Sequence, residues 1–427
     1  MKYTKHNTIG AGIESISFYV PHYYFDLQVL AEVRGTDPGK YIKGIGQERM
    51  AVPAPDEDVV TMGANAAAQA MEGIDRASID TLMFATESGI DQSKAAAIYV
   101  HELLGLPASC KAFELKQACC SGTAGLMMAL AWVRQRPDKK VLLVASDIAR
   151  YGLGTAGEAT QGAGAVAMVI SANPRILSIG LEHGSYTEDV MDFWRPNYRD
   201  EARVDGKYSI RVYLKALAEA WRGYVDDSGR RFGEHERFCY HLPFTRMAEK
   251  AHLHLGKTAK AGLSRDELLE QVESSLIYNR WTGNIYTASL YVGLTSLLEN
   301  EPGQAGRRLG LFSYGSGCLA YFFSGLVADG YEAALCSERH HRMLEQRQAL
   351  SYDEYEAFYN GRLPQDGTDC ALAAHRTGQF RLAGVEDEQR IYRKVETATE
   401  SVDVEEPADT DAQPATWAPP KAERMAM

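Results

Sequence analysis

Three stretches of this chain, Thr81–Thr86, Lys140–Ser146 and Ala163–Ser171, are nearly continuous apolar runs. Such runs read as strands covered on both faces, and a sheet covered on both faces needs helices above and below it. The segments between them supply those helices. Apolar residues recur at helical spacing in Asp26–Arg34, Val59–Met71, Ser93–Leu104 and Ala124–Arg134. Shorter strands are expected at Ser15–Val20, Lys111–Lys116 and Ile176–Leu181. The fold class is therefore α/β.

The style returns later in the chain. Helices are expected at Val212–Tyr224, Met247–Leu255, Arg265–Tyr278 and Thr287–Glu299, with strands at Arg237–His241, Leu309–Phe312 and Leu319–Leu326. No letter-by-letter repeat links the two parts. Between them, Tyr186 to Gly206 is polar, aromatic and aperiodic, and an irregular stretch of that length usually serves function.

Composition narrows the function classes. The 427 residues carry a formal charge of −12, so nucleic acid is an unfavourable partner. Eight acidic and two basic residues fall in the last segment, 395–427, which is poor in bulky aliphatics and is expected to be a disordered acidic tail. No apolar run reaches the roughly 20 residues of a membrane span. The start, MKYTKHNTIGAG, lacks the apolar stretch of a secretory signal, and a cytoplasmic location is expected. Seven cysteines without a CxxC pair support neither a disulfide framework nor a zinc site. The histidines show no HExxH spacing, and His340-His341 and His252-x-His254 read as solvated helix residues. No metal site is expected.

Three chemically active residues fall just past expected strand ends, where open α/β sheets place their ligands. They are Glu87, Cys119 and His241. Cys119 sits where a strand turns into a helix, and free N–H groups and the helix dipole there favour a thiolate. A carboxylate, a thiol and an imidazole at such ends suit acyl transfer coupled to proton transfer. Each also has a plain structural reading: a helix cap, a small buried cysteine, a satisfied core histidine. The glycine-rich segments Gly154–Gly164 and Ser313–Gly317 match no phosphate-binding fingerprint; they suit a ligand's close approach or tight turns. Asn284 is either a cap or an amide donor to a carbonyl.

Taken together, eight ordered pieces resemble the 3-hydroxy-3-methylglutaryl-CoA synthases, the bacterial ones most closely. They are Gly44–Gln47, Asp58–Met62, Ala85–Ser88, Glu114–Cys119, Gly162–Met168, Asp192–Pro196, Gly283–Tyr291 and Phe312–Gly317. The likeness runs from about Ile13 to Arg393. It implies a thiolase fold: two similar α/β halves in a layered αβαβα arrangement, usually as a homodimer. The halves would be residues 1–172, with Glu87 and Cys119, and 173–394, with His241 and Asn284. The resemblance implies that Cys119 accepts the acetyl group, Glu87 removes a methyl proton, and His241 positions and protonates acetoacetyl-CoA. Asn284 and Ser316 would line the acyl site, with N–H groups near Cys119 and Ser316 holding an oxyanion. Thr160, Ser209, Arg246 and Lys250 would contact substrate or coenzyme A. The implied reaction condenses acetyl-CoA with acetoacetyl-CoA and water, without metal or redox cofactor. A related branch runs the same addition on a carrier-protein thioester in polyketide assembly, and the Cys119 motif is also close to that branch. A third reading is an acyl-CoA binder that has lost catalysis; the three active residues together argue against it.

Two positions depart from the family pattern. Cys120 replaces the usual Tyr, which is expected to enlarge the acyl pocket or slow the reaction. Arg246 stands where Lys is common, and Arg still suits a phosphate.

Overall fold

The run Ala163–Ser171 forms a strand buried at every position, paired antiparallel with Gly12–Tyr19 on one side and Lys140–Ile148 on the other. Around it nine strands join in one sheet. Their order is Lys111–Leu115, Ile79–Ala85, Lys140–Ile148, Ala163–Ser171, Gly12–Tyr19, Leu177–Thr187, Leu319–Val327, Arg308–Gly315 and Arg237–Tyr240. The computed structural model describes residues 10–395. The acidic tail expected over 395–427 lies outside the described residues, apart from Val395, whose N–H donates to Gln379 O at 2.8 Å.

The strand order contains a duplication that the letters hide. In the first half, Gly12–Tyr19 pairs antiparallel with the half's last strand, Ala163–Ser171. That strand pairs antiparallel with Lys140–Ile148, which pairs parallel with Ile79–Ala85. In the second half, Leu177–Thr187 pairs antiparallel with Leu319–Val327, the latter antiparallel with Arg308–Gly315, and that strand parallel with Arg237–Tyr240. The senses match step for step. Gly12–Tyr19 and Leu177–Thr187 meet over only two residue pairs, Gly12 with Ser178 and Ile13 with Leu177.

Alternation along the strands builds the layers. Leu82, Phe84, Leu142, Val144, Ala165 and Ala167 face an outer core with helix Val59–Ala70. Met83, Ala85, Leu143, Ala145, Val166 and Met168 face the opposite way, onto the helices Ser121–Gln135 and Ser289–Asn300. Those two helices also meet Cys239, Leu309, Leu311 and Phe323 of the second half. Phe238, Tyr240, Phe312 and Phe322 point outward again, onto helices Gly206–Ser228 and Arg246–Thr258. The result is the αβαβα stack of the thiolase fold, with the two central helices tied by a Thr123–Tyr291 hydroxyl pair at 2.7 Å.

Several local expectations need correction. His340 and His252 are not solvated; both are fully buried. His252 lies on the same helix face as Ala248, Ala251 and Leu255, between Tyr240 OH at 2.8 Å and Gln271 Oε1 at 3.0 Å. His340 bridges Glu299 Oε1 at 2.7 Å and Phe18 N at 3.2 Å; because Phe18 N–H donates to Nε2, the ring proton resides on Nδ1. The single helix expected over Arg265–Tyr278 is Arg265–Glu270 followed by a 3₁₀ turn, Glu273–Leu276. Phe238 N of the edge strand takes the Gln271 carbonyl at 3.1 Å, which draws it away from a helical ladder.

The end of the described chain returns to the first half. The hairpin Phe380–Glu386 and Gln389–Lys394 lies against helix Val59–Ala70. Buried Asp56 accepts from Arg381 Nε at 3.0 Å, and Asp58 accepts from Arg390 at 3.0 Å and Tyr392 OH at 2.6 Å. Asp58 also caps the helix start through Val60 N and Thr61 N.

Candidate active site

A sharp turn, Gln117 to Cys120, follows strand Lys111–Leu115 and opens directly into helix Ser121–Gln135. Ala118 holds φ at 44°, a left-handed conformation that costs a residue with a Cβ roughly 1–2 kcal/mol. Ser121 locks it: its Oγ accepts from Gln117 N at 2.5 Å and donates to Ala118 O at 2.8 Å. The second half repeats the device. Ile285 N donates to Ser289 Oγ at 2.8 Å, Tyr286 holds φ at 41°, and helix Ser289–Asn300 follows. In that register Thr287 stands where Cys119 stands.

Cys119 Sγ donates to Glu87 Oε1 at 2.9 Å. Glu87 is placed by its backbone: Glu87 N and Thr86 Oγ1 both donate to Asp147 Oδ1, each at 2.9 Å. The other Asp147 oxygen accepts from Thr287 N at 3.1 Å and Thr287 Oγ1 at 2.5 Å. One buried carboxylate therefore ties the Glu87 loop to the second-half turn. Arg195, from the irregular stretch, donates to the Glu87 carbonyl.

These surroundings set the proton affinities. Burial, then the Asp147 charge, pushes the Glu87 carboxyl up to about 8, against the pull of Cys119 and Arg195. Burial, then Glu87, raises the Cys119 thiol well above its ordinary value. Against the expected pull of the helix end toward a thiolate, desolvation and the neighbouring carboxyl favour the proton on sulfur. Burial alone lowers His241 to about 3, so its imidazole is neutral at ordinary pH. Its Nδ1 is buried with no hydrogen-bond partner among the described residues.

Tyr151, Phe193, Tyr286 and Ala149 pack around Cys119 and exclude water from it. Asn284 joins this wall, its Nδ2 donating to Tyr151 OH at 3.3 Å, while its Oδ1 accepts from Tyr286 N at 2.8 Å. Ser316 reaches the Cys119 turn through its carbonyl, which accepts from Gln117 Nε2 at 3.4 Å. Gly315 makes that approach possible: a Cβ there would lie 2.7 Å from Cys120 Cβ. His241 follows strand Arg237–Tyr240, the counterpart of the strand that carries Glu87. It is buried, and Tyr213 OH donates to its carbonyl at 2.8 Å. Burial, then Cys119, raises the Tyr213 phenol well above its ordinary value.

The remaining expected residues lie on separate elements outside the Cys119 cluster. Thr160 gives its carbonyl to Asn284 N at 3.1 Å and turns its hydroxyl to Gly157 O at 2.7 Å. Ser209 donates to Asp192 Oδ2 at 3.1 Å; Asp192 also accepts from Tyr314 OH at 2.5 Å and Gly317 N at 3.0 Å. Arg246 and Lys250 lie one turn apart on helix Arg246–Thr258. Arg246 donates to Lys43 O at 2.7 Å, and exposed Lys250 stands over the Phe244 ring at 5.1 Å. Cys120 Sγ accepts from Ser313 Oγ at 3.4 Å and is fully buried at the junction of the halves.

Sequence reasoning gave no role to Asp147, Tyr151, Arg195 or Tyr286. Asp147 had a readable signal, an acid closing an apolar strand, the same signal that marked Glu87. The aromatic residues had none, because nothing local separates a site wall from core.

Comparison with known proteins gives the family. The family model for the hydroxymethylglutaryl-coenzyme A synthase N terminus matches residues 8–175, and the C-terminal model matches 179–258 and 254–365. A hydroxymethylglutaryl-CoA synthase of Enterococcus faecalis is 43% identical over 383 residues, covering 90% of this chain and 99% of the relative. A polyketide-biosynthesis 3-hydroxy-3-methylglutaryl-ACP synthase of Bacillus subtilis is 34% identical over 375 residues, covering 83% and 89%. Among solved structures, an HMG-CoA synthase complexed with CoA superposes with a TM-score of 0.86 at 40% identity, covering 90% of this chain and all of that one. The chain belongs to the hydroxymethylglutaryl-coenzyme A synthase family.

Proposed function

We propose that this protein condenses acetyl-CoA with acetoacetyl-CoA and water to give 3-hydroxy-3-methylglutaryl-CoA and free CoA, an early step toward mevalonate and isoprenoids. The observation that carries the reading is the Cys119–Glu87 contact of 2.9 Å inside a dry aromatic pocket. In the first step Cys119 Sγ attacks the acetyl carbonyl, the bond to the CoA sulfur breaks, and the thiol proton leaves with that sulfur as CoA thiol, so Glu87 gains no net proton. The N–H groups of Cys119 and Ser316 are the proposed oxyanion donors. The neighbouring Cys120, Ser121 and Gly317 N–H groups are already bonded to Gln117 O, Ala118 O and Asp192. Ionised Glu87 then takes a methyl proton from acetyl-Cys119. The enolate carbon attacks the ketone of acetoacetyl-CoA, and neutral His241 donates a hydrogen bond to that oxygen. The resulting alkoxide takes a proton at His241, which Glu87 resupplies. Water finally cleaves the Cys119 thioester and restores the thiol. These steps call for no metal or redox cofactor.

Asn284 and Ser316 serve the acyl site in this reading, and Thr160, Ser209, Arg246 and Lys250 serve substrate and coenzyme A. Arg246 and Lys250 suit free CoA phosphates. The carrier-protein alternative is supported by the Bacillus relative and by a curacin-pathway HMG synthase solved with an acetyl donor-ACP, at 31% identity and a TM-score of 0.85. Both are more distant than the Enterococcus enzyme.

The working form is proposed to be a homodimer. Strand Lys111–Leu115 ends the sheet. Beside it, helix Ser121–Gln135 shows Met128 at 46% exposure, an apolar residue on a helix of the central layer. Seven unpaired thiols suit a reducing compartment, and the cytoplasm is the proposed location.

The deciding experiment offers acetoacetyl-CoA and acetoacetyl carrier protein separately, after loading with labelled acetyl-CoA. Label on Cys119 and turnover of the free CoA substrate are expected. Label on Cys120, or turnover of the carrier substrate alone, would overturn the reading.

A further inference from the structure

The loop between strands Lys140–Ile148 and Ala163–Ser171 carries Tyr151 into the Cys119 cluster. Within the loop, the hydroxyl of exposed Thr155 donates to the Tyr151 carbonyl at 3.0 Å. Gly152 and Gly154 follow it with φ of 92° and 72°, so the backbone just after Tyr151 uses conformations that glycine enters freely. A second hold starts at the far end of the same loop, at Gln161, and runs out to a neighbouring helix. Tyr151 N donates to Gln161 Oε1 at 2.8 Å. Gln161 Nε2 donates to Tyr355 OH at 3.0 Å, and Tyr355 OH donates to Glu158 Oε1 at 3.2 Å. Glu158 is gripped by both ends of Arg34, at 2.7 and 2.9 Å, and by Gly154 N at 2.8 Å. Gln161, Tyr355 and Glu158 are all buried, at 4%, 1% and 2% exposure. Tyr355 belongs to helix Tyr352–Asn360 and is stacked on Phe25, with ring centroids 4.5 Å apart.

We propose that Gln161 and Tyr355 are positioning residues for the reaction, a buried relay by which helix Tyr352–Asn360 holds Tyr151, and through it Asn284, against Cys119. The relay is directional. Glu158 accepts only, so Tyr355 must donate to it, and Gln161 must therefore present its amide N–H₂ to Tyr355 and its oxygen to Tyr151. Each member fixes the orientation of the next, and the last contact is the backbone of a residue in the acyl pocket. Losing the Gln161 oxygen would leave Tyr151 N without its acceptor, beside two glycines whose backbone turns freely.

The inference rests on the proposed function, and the test separates the two. Gln161→Met removes the acceptor for Tyr151 N at similar length, Gln161→Glu keeps it, and Tyr355→Phe removes one hydroxyl while keeping the stack on Phe25. Expected for Gln161→Met is a fall of at least tenfold in condensation kcat, with KM for acetyl-CoA within about twofold. Expected for Gln161→Glu is recovery of most of that loss, and for Tyr355→Phe an intermediate fall. A Tyr151→Phe, Gln161→Met double variant should be no slower than the slower single one, because both act through the same ring. Additive losses, or equal impairment by Met and Glu at 161, would mark a merely structural role and overturn the relay. A wild-type protein that does not condense would instead sink the functional reading. A crystal structure of Gln161→Met then still decides the relay, supporting it if Tyr151 has moved and refuting it if the ring stays in place.

Discussion

Glu87 shows what burial does to a single side chain. Its carboxyl is held at about 8, and the competent form of a base is the ionised one. Condensation should therefore rise with pH from 6, by close to tenfold per unit at first, and level off above about 8. His241, lowered to about 3, adds no limb in that range. A rate independent of pH between 6 and 8, with chemistry limiting, would contradict the assignment. Glu87→Gln should lose roughly 10²–10⁴ in condensation while still accepting an acetyl group on Cys119, measured by intact-protein mass. At this scale the chain was partly legible. Glu87, Cys119 and His241 were marked by chemistry at strand ends, and the structure joins the first two directly. The proton state of Cys119 was not legible, because a helix end can be read from letters but the desolvation that opposes it cannot. Tyr151 and Asp147 were not legible as site residues, because each also draws on a partner more than 100 residues away, Asn284 and Thr287.

Among the elements, the hairpin at the end of the described chain has the most to lose from one substitution. Arg381 neutralises an Asp56 carboxylate that is fully buried. Arg381→Met should cost about 3 kcal/mol in urea unfolding, because it leaves a buried charge with only His375 beside it at 3.2 Å. Loss of less than about 1 kcal/mol would show that the charge is relieved by water or by His375. Strands and helices with strong periodicity were readable to within a few residues. The helix expected at Val212–Tyr224 extends over Gly206–Ser228, since Asp205 caps its start and Gly229 ends it at φ 69°. The break after Glu270 was not readable, because its cause is a neighbouring strand, and strand neighbours are not encoded locally.

For the whole molecule, the open edge at Lys111–Leu115 and the exposed Met128 predict a partner of the same kind. Met128→Glu should shift sedimentation toward the monomer with circular dichroism unchanged; an unaltered sedimentation coefficient would move the interface elsewhere. A chain ended at Val395 should keep its activity, because every site residue named above precedes that point; an inactive truncation would refute this. The matched pairing of the two halves explains a further asymmetry. Both halves own the same strained turn at the head of a central helix, locked by Ser121 in one and Ser289 in the other. Only one of them bears sulfur. Thr287, in the other, is bound to Asp147 and helps to hold Glu87 in place. The second turn therefore braces the first: one backbone device carries sulfur in one half and, in the other, a hydroxyl that anchors the Asp147 carboxylate beneath Glu87.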